Sequence, residues 1–404
     1  MSNELLHTPG GVRDIYGSAC AQKLAVQGDL QKILHSYGFQ DIQTPTFEYF
    51  DIFNQERGTV SSHEMFKFFD RGNNTLVLRP DMTPSIARCV AKYCRDEQMQ
   101  IRFCYTAQTF VNTKQYKGKL QEVTQIGAEL FHDDSSDADA EMVALTIECL
   151  LKSGLQEFQL EVGHADLFRG LVEEAGFNQE ETEKLRDLIE TKNFFGVEDL
   201  LDQLTVSQGL REIFLKLPDI QGELSTCVEY IKERTKSNRV MQALERLQKL
   251  EAILHLYGFM DYVTIDMSML SHYSYYTGVI FRAYTYGNGE AIATGGRYDS
   301  LVGQFGMDVP AIGLAIVLDQ LMIALERQKR LQDAPSAGVL LLYPKEARDQ
   351  ALKQAAELRA AGEVVQMLRK SSKVPLEEYE EYAKRNGNER VLYITEKSVQ
   401  ETVF

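Results

Sequence analysis

Gln125-Ile126-Gly127-Ala128-Glu129-Leu130-Phe131 alternates polar or small residues with apolar ones. Side chains along a strand point to opposite faces in turn, so Gln125, Gly127 and Glu129 share one face and Ile126, Ala128 and Leu130 the other. In an antiparallel sheet the polar face is either the wet side or the floor of a polar pocket, where Gly127 leaves room for a small ligand. Outward from this stretch the strand reading extends to Gln121, and Ile101–Phe110 reads as a second strand across the polar segment Val111–Leu120. Met65–Asp70 and Thr75–Arg79 form a hairpin-like pair around a Gly-Asn-Asn turn, and Ile42-Gln-Thr-Pro45 is a strand–proline element. Further strands are expected over Val263–Met267, Gly278–Tyr286 and Gly289–Thr294, followed by an apolar helix over Gly313–Arg327. A helical period runs through Ala19–Tyr37. Antiparallel strands mixed with flanking helices predict an α+β sheet domain.

Residues 166–260 interrupt that sheet with Leu, Glu and Lys at helical spacing, over Thr182–Thr191, Val197–Leu204 and Asn238–Tyr257, and read as a helical insertion. Lys329–Ala337 is polar, contains Pro335 and reads as a linker. Beyond it, Gly338–Tyr343, Ala347–Ala361, Val364–Leu368, Leu376–Arg385 and Arg390–Thr395 alternate strand and helix, predicting a small α/β lobe. The expected division is 1–328, a linker at 329–337, and 338–404.

With 44% hydrophobic and 25% charged residues over 404 positions, the chain has an ordinary globular composition. Six cysteines lie scattered without a C-x-x-C pair, which points to reduced thiols. Seven histidines show no ligand spacing, so no metal site is expected, and a net charge of −16 argues against a broad nucleic-acid footprint. No apolar run approaches the roughly 20 residues of a bilayer span, and no basic region precedes an apolar stretch at the N-terminus. A soluble, cytoplasmic chain is expected.

Four stretches carry chemistry. In Leu78-Arg79-Pro80-Asp81-Met82-Thr83 an acid and a hydroxyl two residues apart either open a helix through an Asx turn or project into one pocket. Gln125–Glu129 supplies the alternating polar face. Ser271-His272-Tyr273-Ser274-Tyr275-Tyr276-Thr277-Gly278 sets three tyrosines within four residues, as core aromatics or as rigid walls with phenolic tips. Gly295-Gly296-Arg297-Tyr298-Asp299 is either a simple turn or a close backbone approach to a ligand, with Arg297 beside it.

Taken in order, these four resemble the L-R-P-E-G-T, Q-x-G-x-E, Y-Y-T-G and G-G-R-Y-D segments of histidyl-tRNA synthetase. The likeness begins at Thr8-Pro-Gly-Gly-Val-Arg-Asp-Ile, includes the helix ending His35-Ser-Tyr-Gly-Phe, and covers about 1–327. It implies a class II aminoacyl-tRNA synthetase-like antiparallel sheet, a homodimer, and a C-terminal lobe similar to a truncated anticodon-binding domain. It further implies that Glu129 and Tyr276 bracket the imidazole of free histidine and that Asp81, Thr83 and Gln125 take its α-ammonium group. Tyr273 and Tyr275 line the same pocket, and Arg297 is counted with this histidine-binding set.

The resemblance fails where ATP would be held. Val111 and Thr113 stand in for the arginine and glutamate of the family's F-R-x-E, Gln320 for the arginine of its motif 3, and Ser271 for a third arginine. Each lost donor of this kind typically costs about 2.7–4 kcal/mol of transition-state stabilisation. Lys114, Lys117 and Lys119 remain nearby, but a lysine is a point charge and a poor substitute for a bidentate guanidinium. Persistent histidine-contacting groups beside missing phosphate-contacting ones are similar to a non-catalytic branch of the family, the regulatory subunit that joins the short-form ATP phosphoribosyltransferase catalytic chain. That branch implies feedback by L-histidine, a hetero-oligomer, no cofactor, no tRNA and no catalytic residue. An active synthetase, or a paralogue binding RNA or protein, remains the alternative.

Overall fold

The computed structural model describes residues 6–53, 60–113, 119–217, 220, 223–270 and 275–404. They fall into two compact units, one of residues up to Arg13 with Gln27–Arg330, the other of Asp14–Val26 with Leu331–Phe404.

The first unit carries, in chain order, α1 (Gly17–Ser36, shared between the units), β1 (Gln40–Asp41), β2 (Phe47–Tyr49), β3 (Lys67–Phe69), β4 (Thr75–Leu78), α2 (Thr83–Tyr93), β5 (Ile101–Phe110), β6 (Glu122–Phe131) and α3 (Ser136–Lys152). After these come β7 (Gln159–His164), α4 (Ala165–Ala175), α5 (Gln179–Glu190), α6 (Phe194–Gln203), α7 (Gln208–Lys216), α8 (Leu224–Lys232) and α9 (Asn238–Tyr257). β8 (Val263–Ile265), β9 (Val279–Tyr284), β10 (Ala293–Arg297), β11 (Ala311–Val317) and α10 (Leu318–Arg327) close it.

Eight strands form one sheet in the order β1-β5-β6-β11-β10-β9-β7-β8. Its central pairs are all antiparallel, and only the outer pairs β1/β5 and β7/β8 run parallel. A separate three-stranded sheet, β2-β4-β3, lies apart from it. This is the expected α+β architecture. β5 and β6 are the longest strands at ten residues each, and their register pairs Phe103 with Glu129 and Tyr105 with Gly127.

The strand expected over Gly289–Thr294 lies later, at Ala293–Arg297, and one helix needs correction. Gly313–Arg327 is not a single helix, because Ala311–Val317 is a strand held between β6 and β10 and the helix starts only at Leu318. A short apolar run buried on both faces has no periodicity that separates strand from helix. α3 was not foreseen, because it is buried nearly all round and shows no polar stripe to mark its period. α9 matches its expected bounds because its signals agree. Ser237 caps its first turn, Gly258 ends it at φ 75°, and Val240, Ala243, Leu244, Leu247, Leu250 and Leu254 make its buried stripe.

In the second unit β12 (Val339–Tyr343), α11 (Arg348–Ala360), β13 (Val365–Arg369), α12 (Leu376–Arg385), β14 (Arg390–Ile394) and β15 (Val399–Val403) build a sheet in the order β13-β12-β14-β15. Val339 and Leu341 pack with Ala351 and Ala355 of α11, while Leu340 and Leu342 pack with Ala383 of α12. The two helices therefore cover opposite faces, which is why β12 reads as a continuous apolar run. β15 escaped notice because Val-Gln-Glu-Thr-Val is mostly exposed.

Candidate functional site

The pocket lies on one face of the eight-stranded sheet. The row Glu129–Gly313–Gly296 crosses β6, β11 and β10 in register, and Gly127–Ala315–Thr294 forms the next row. Paired residues share a face, so the glycines of β10 and β11 open the floor in front of Glu129. A Cβ on Gly313 would lie 1.8 Å from Glu129 Oε2, and one on Gly296 would lie 2.8 Å from the Tyr276 ring. Gly127 serves differently from expectation. Its missing side chain is filled by Tyr105, 2.4 Å from where a Cβ would sit, so it makes room for a core aromatic rather than a ligand.

α2 brings the second wall. Pro84 in its first turn fixes the chain direction just after β4, and Asp81 and Thr83 turn towards the sheet. Thr83 Oγ1 donates to Glu129 Oε1 at 2.8 Å, and Tyr298 Oη donates to Glu129 Oε2 at 2.5 Å. Tyr275 Oη donates to Asp81 Oδ2 at 3.1 Å, while the Met82 N–H donates to Asp81 Oδ1 at 2.7 Å. Tyr275 meets the rings of Tyr276 and Tyr298 edge-on, at centroid distances of 5.0 and 5.9 Å. Asp81, Thr83, Gln125, Glu129, Tyr275, Tyr276 and Tyr298 thus converge on a cleft of about 340 Å³, its open mouth included. Gln125 Oε1 is buried without a hydrogen-bond partner among the described residues.

Burial pushes Glu129 up to about 8, helped by the nearby Asp81 and opposed by the hydrogen bonds from Tyr298 and Thr83. Asp81 is raised for the same reason, while its bonds to Met82, Tyr275 and Thr83 work the other way. Two carboxyls that burial pushes upward in one site favour a ligand that brings positive charge or donors.

One expected site residue is placed otherwise. Arg297 is on β10 but one residue out of phase with Gly296, so strand alternation points it to the opposite face. There it contacts Asp139 of α3 at 2.7–2.8 Å and the Asp133 carbonyl at 2.9 Å, and it is not a pocket wall. Its neighbour Tyr298, passed over in the sequence, turns in instead, and its signal lay in the same Gly-Gly-Arg-Tyr-Asp run. Tyr273 lies outside the described residues, as do Ser271, Lys114 and Lys117.

Beyond the pocket, the positions expected to hold phosphates are engaged internally. Gln320 Nε2 donates to Glu290 Oε2 at 3.0 Å, and Lys119 forms an ion pair with the other oxygen of Glu290. Val111 bonds through its backbone to Gln121, and Asp319 holds Arg13 at 3.0 Å and the Thr124 N–H at 2.8 Å. Among the described residues, no helix is long and apolar enough to cross a membrane.

An antiparallel sheet with this strand order, a pocket on one face and a helix-led strand at its edge define a class II aminoacyl-tRNA synthetase-like protein. The family described as histidyl-tRNA synthetase matches residues 11–321. The chain is similar to the ATP phosphoribosyltransferase regulatory subunit of Ruminiclostridium cellulolyticum, 38% identical over 89% of this chain and 85% of that one. It is 36% identical to the Acetivibrio thermocellus protein of the same name, over 91% and 88% of the two chains. A crystal structure described as an ATP phosphoribosyltransferase regulatory subunit/histidyl-tRNA synthetase from Bacillus halodurans superposes with a TM-score of 0.87, at 28% identity, over 98% of this chain and 99% of that chain. The chain belongs to the histidyl-tRNA synthetase family, within its group of ATP phosphoribosyltransferase regulatory subunits.

Proposed function

We propose that the chain is a non-catalytic regulatory subunit of ATP phosphoribosyltransferase, acting in the cytoplasm. It joins the short-form catalytic chain in a hetero-oligomer built on its own homodimer, enables that chain's activity and conveys feedback inhibition by L-histidine. The names of the relatives support the regulatory role. One observation supports the absence of adenylation chemistry: Glu290 places a carboxylate between Lys119 and Gln320, where the family would present cations to ATP. A carboxylate repels a triphosphate and neutralises Lys119.

Histidine is taken by the pocket around Glu129. Glu129 and Tyr276 bracket the imidazole, which needs partners for one donor and one acceptor nitrogen. Asp81, Thr83 and the open Gln125 Oε1 take the α-ammonium group, whose charge favours the Asp81 carboxylate against the upward push of burial. Tyr275 orients Asp81. Arg297 takes no part, because it faces α3.

Reconstitution tests this reading. The short catalytic chain should gain phosphoribosyltransferase activity only when this chain is added, and histidine should suppress it. This chain alone should give no histidine-dependent exchange between ATP and pyrophosphate. Exchange by the isolated chain would return it to the synthetases, and an unstimulated catalytic chain would remove the regulatory role.

A further inference from the structure

The spacing of the histidines points to no metal, yet the fold assembles three different ligand types on the far side of β5 from Glu129. His35 comes from the last turn of α1, Asp41 from β1 and Cys104 from β5. His35 and Asp41 are six positions apart and Cys104 is 63 beyond Asp41, a separation that only the parallel β1/β5 pairing closes, setting Asp41 directly opposite Cys104. His35 Nε2 lies 3.0 Å from Asp41 Oδ2, Cys104 Sγ lies 3.7 Å from Asp41 Oδ1, and all three ligand atoms fall within 4.8 Å of one another. Among the described residues this is the one such group of histidine, cysteine and acidic side chains.

We infer that His35, Asp41 and Cys104 form a three-ligand zinc site. A tetrahedral zinc with Zn–S near 2.3 Å and Zn–N or Zn–O near 2.1 Å needs its donors about 3.3–3.6 Å apart. The two separations, each to a different Asp41 oxygen, bracket that range, and the His35–Cys104 pair lies within 4.8 Å, so binding draws the three side chains in around the ion. A mixed nitrogen, oxygen and sulfur set suits zinc rather than calcium or magnesium, which prefer oxygen alone. Charge balances as well: the Asp41 carboxylate and a Cys104 thiolate neutralise a divalent ion. The thiol proton passes to solvent on binding. His35 and Asp41 are exposed, with side chains 44% and 54% accessible, and Cys104 is buried, so an ion enters from solvent and closes against sulfur. Gln31, one turn before His35, donates to Asp41 Oδ1 at 3.0 Å and orients the carboxylate from outside the ligand set. Water completes the fourth position.

The test uses the full chain stripped by chelator and titrated with cobalt(II), then with zinc(II). One cobalt per chain should produce a thiolate-to-cobalt charge-transfer band and intense visible bands of a four-coordinate ion, both erased by stoichiometric zinc. Cys104→Ser should abolish the charge-transfer band, while Cys89→Ser, elsewhere in the same unit, should leave it intact. His35→Ala, a change at an exposed side chain that spares folding, should weaken zinc binding by at least about tenfold, and Asp41→Asn likewise. No charge-transfer band in the parent chain, a band surviving Cys104→Ser, or zinc affinity unchanged in His35→Ala would each overturn the site.

Discussion

Glu129 sits where three strands meet, fully dry, and holds its proton up to about 8. Its ordinary value is 4.5, so between these limits the unfolded chain has released the proton and the folded chain has not. The stability it contributes is complete below about 4.5 and drains away as pH rises through about 8. Glu129→Gln keeps the volume and the neutral state, so it should flatten the decline of unfolding free energy over that window and stabilise the ligand-free chain above it by a few kcal/mol. Denaturant titrations at stepped pH measure this, and parallel slopes for parent and variant would refute the buried-acid account. The same variant should lose histidine affinity in calorimetry, since a neutral amide cannot match a carboxyl that adapts its proton to the ligand.

Asp139 shows what single helices and strands exchange. It is fully buried on α3 and contacts Arg297 of β10 at 2.7–2.8 Å and Arg246 of α9 at 2.6 Å. Removing one member of a buried ionic group leaves an uncompensated charge, typically at about 3–5 kcal/mol. Asp139→Ala should therefore lower unfolding free energy by that order while leaving the Glu129 face intact, and a loss under about 1 kcal/mol would show that the group is idle. This element also marks where sequence legibility ended. The alternation of Gln125, Gly127 and Glu129 showed which side chains share a face while leaving open whether that face was wet or a pocket floor, and helix α9 carried its own caps and stripe. Arg297 was misassigned because a motif names residues without saying which side of a strand each takes. Its parity was readable only once Gly296 was known to face Glu129. β11 was misread as helix because a strand flanked by two others is apolar on both sides. The His35–Asp41–Cys104 cluster was invisible because strand pairing, not spacing, brings it together.

At the scale of the whole chain, 59 acidic residues against 43 basic ones leave a net charge of −16. Phosphate contacts by Lys and Arg supply most of the affinity in nucleic-acid binding. The protein should therefore retain no transfer RNA in filter binding at physiological salt, and submicromolar retention would restore the synthetase alternative. Glu290 bears on how such a chain changes over generations. An arginine restored at Gln320 would be captured by the carboxylate already bonded there, 3.0 Å away, before it could meet a phosphate. The mutation would bring no catalytic gain for selection to keep. An adenylating variant thus needs the acid removed and cations supplied together, so Glu290 works as a ratchet against acquiring that chemistry one substitution at a time.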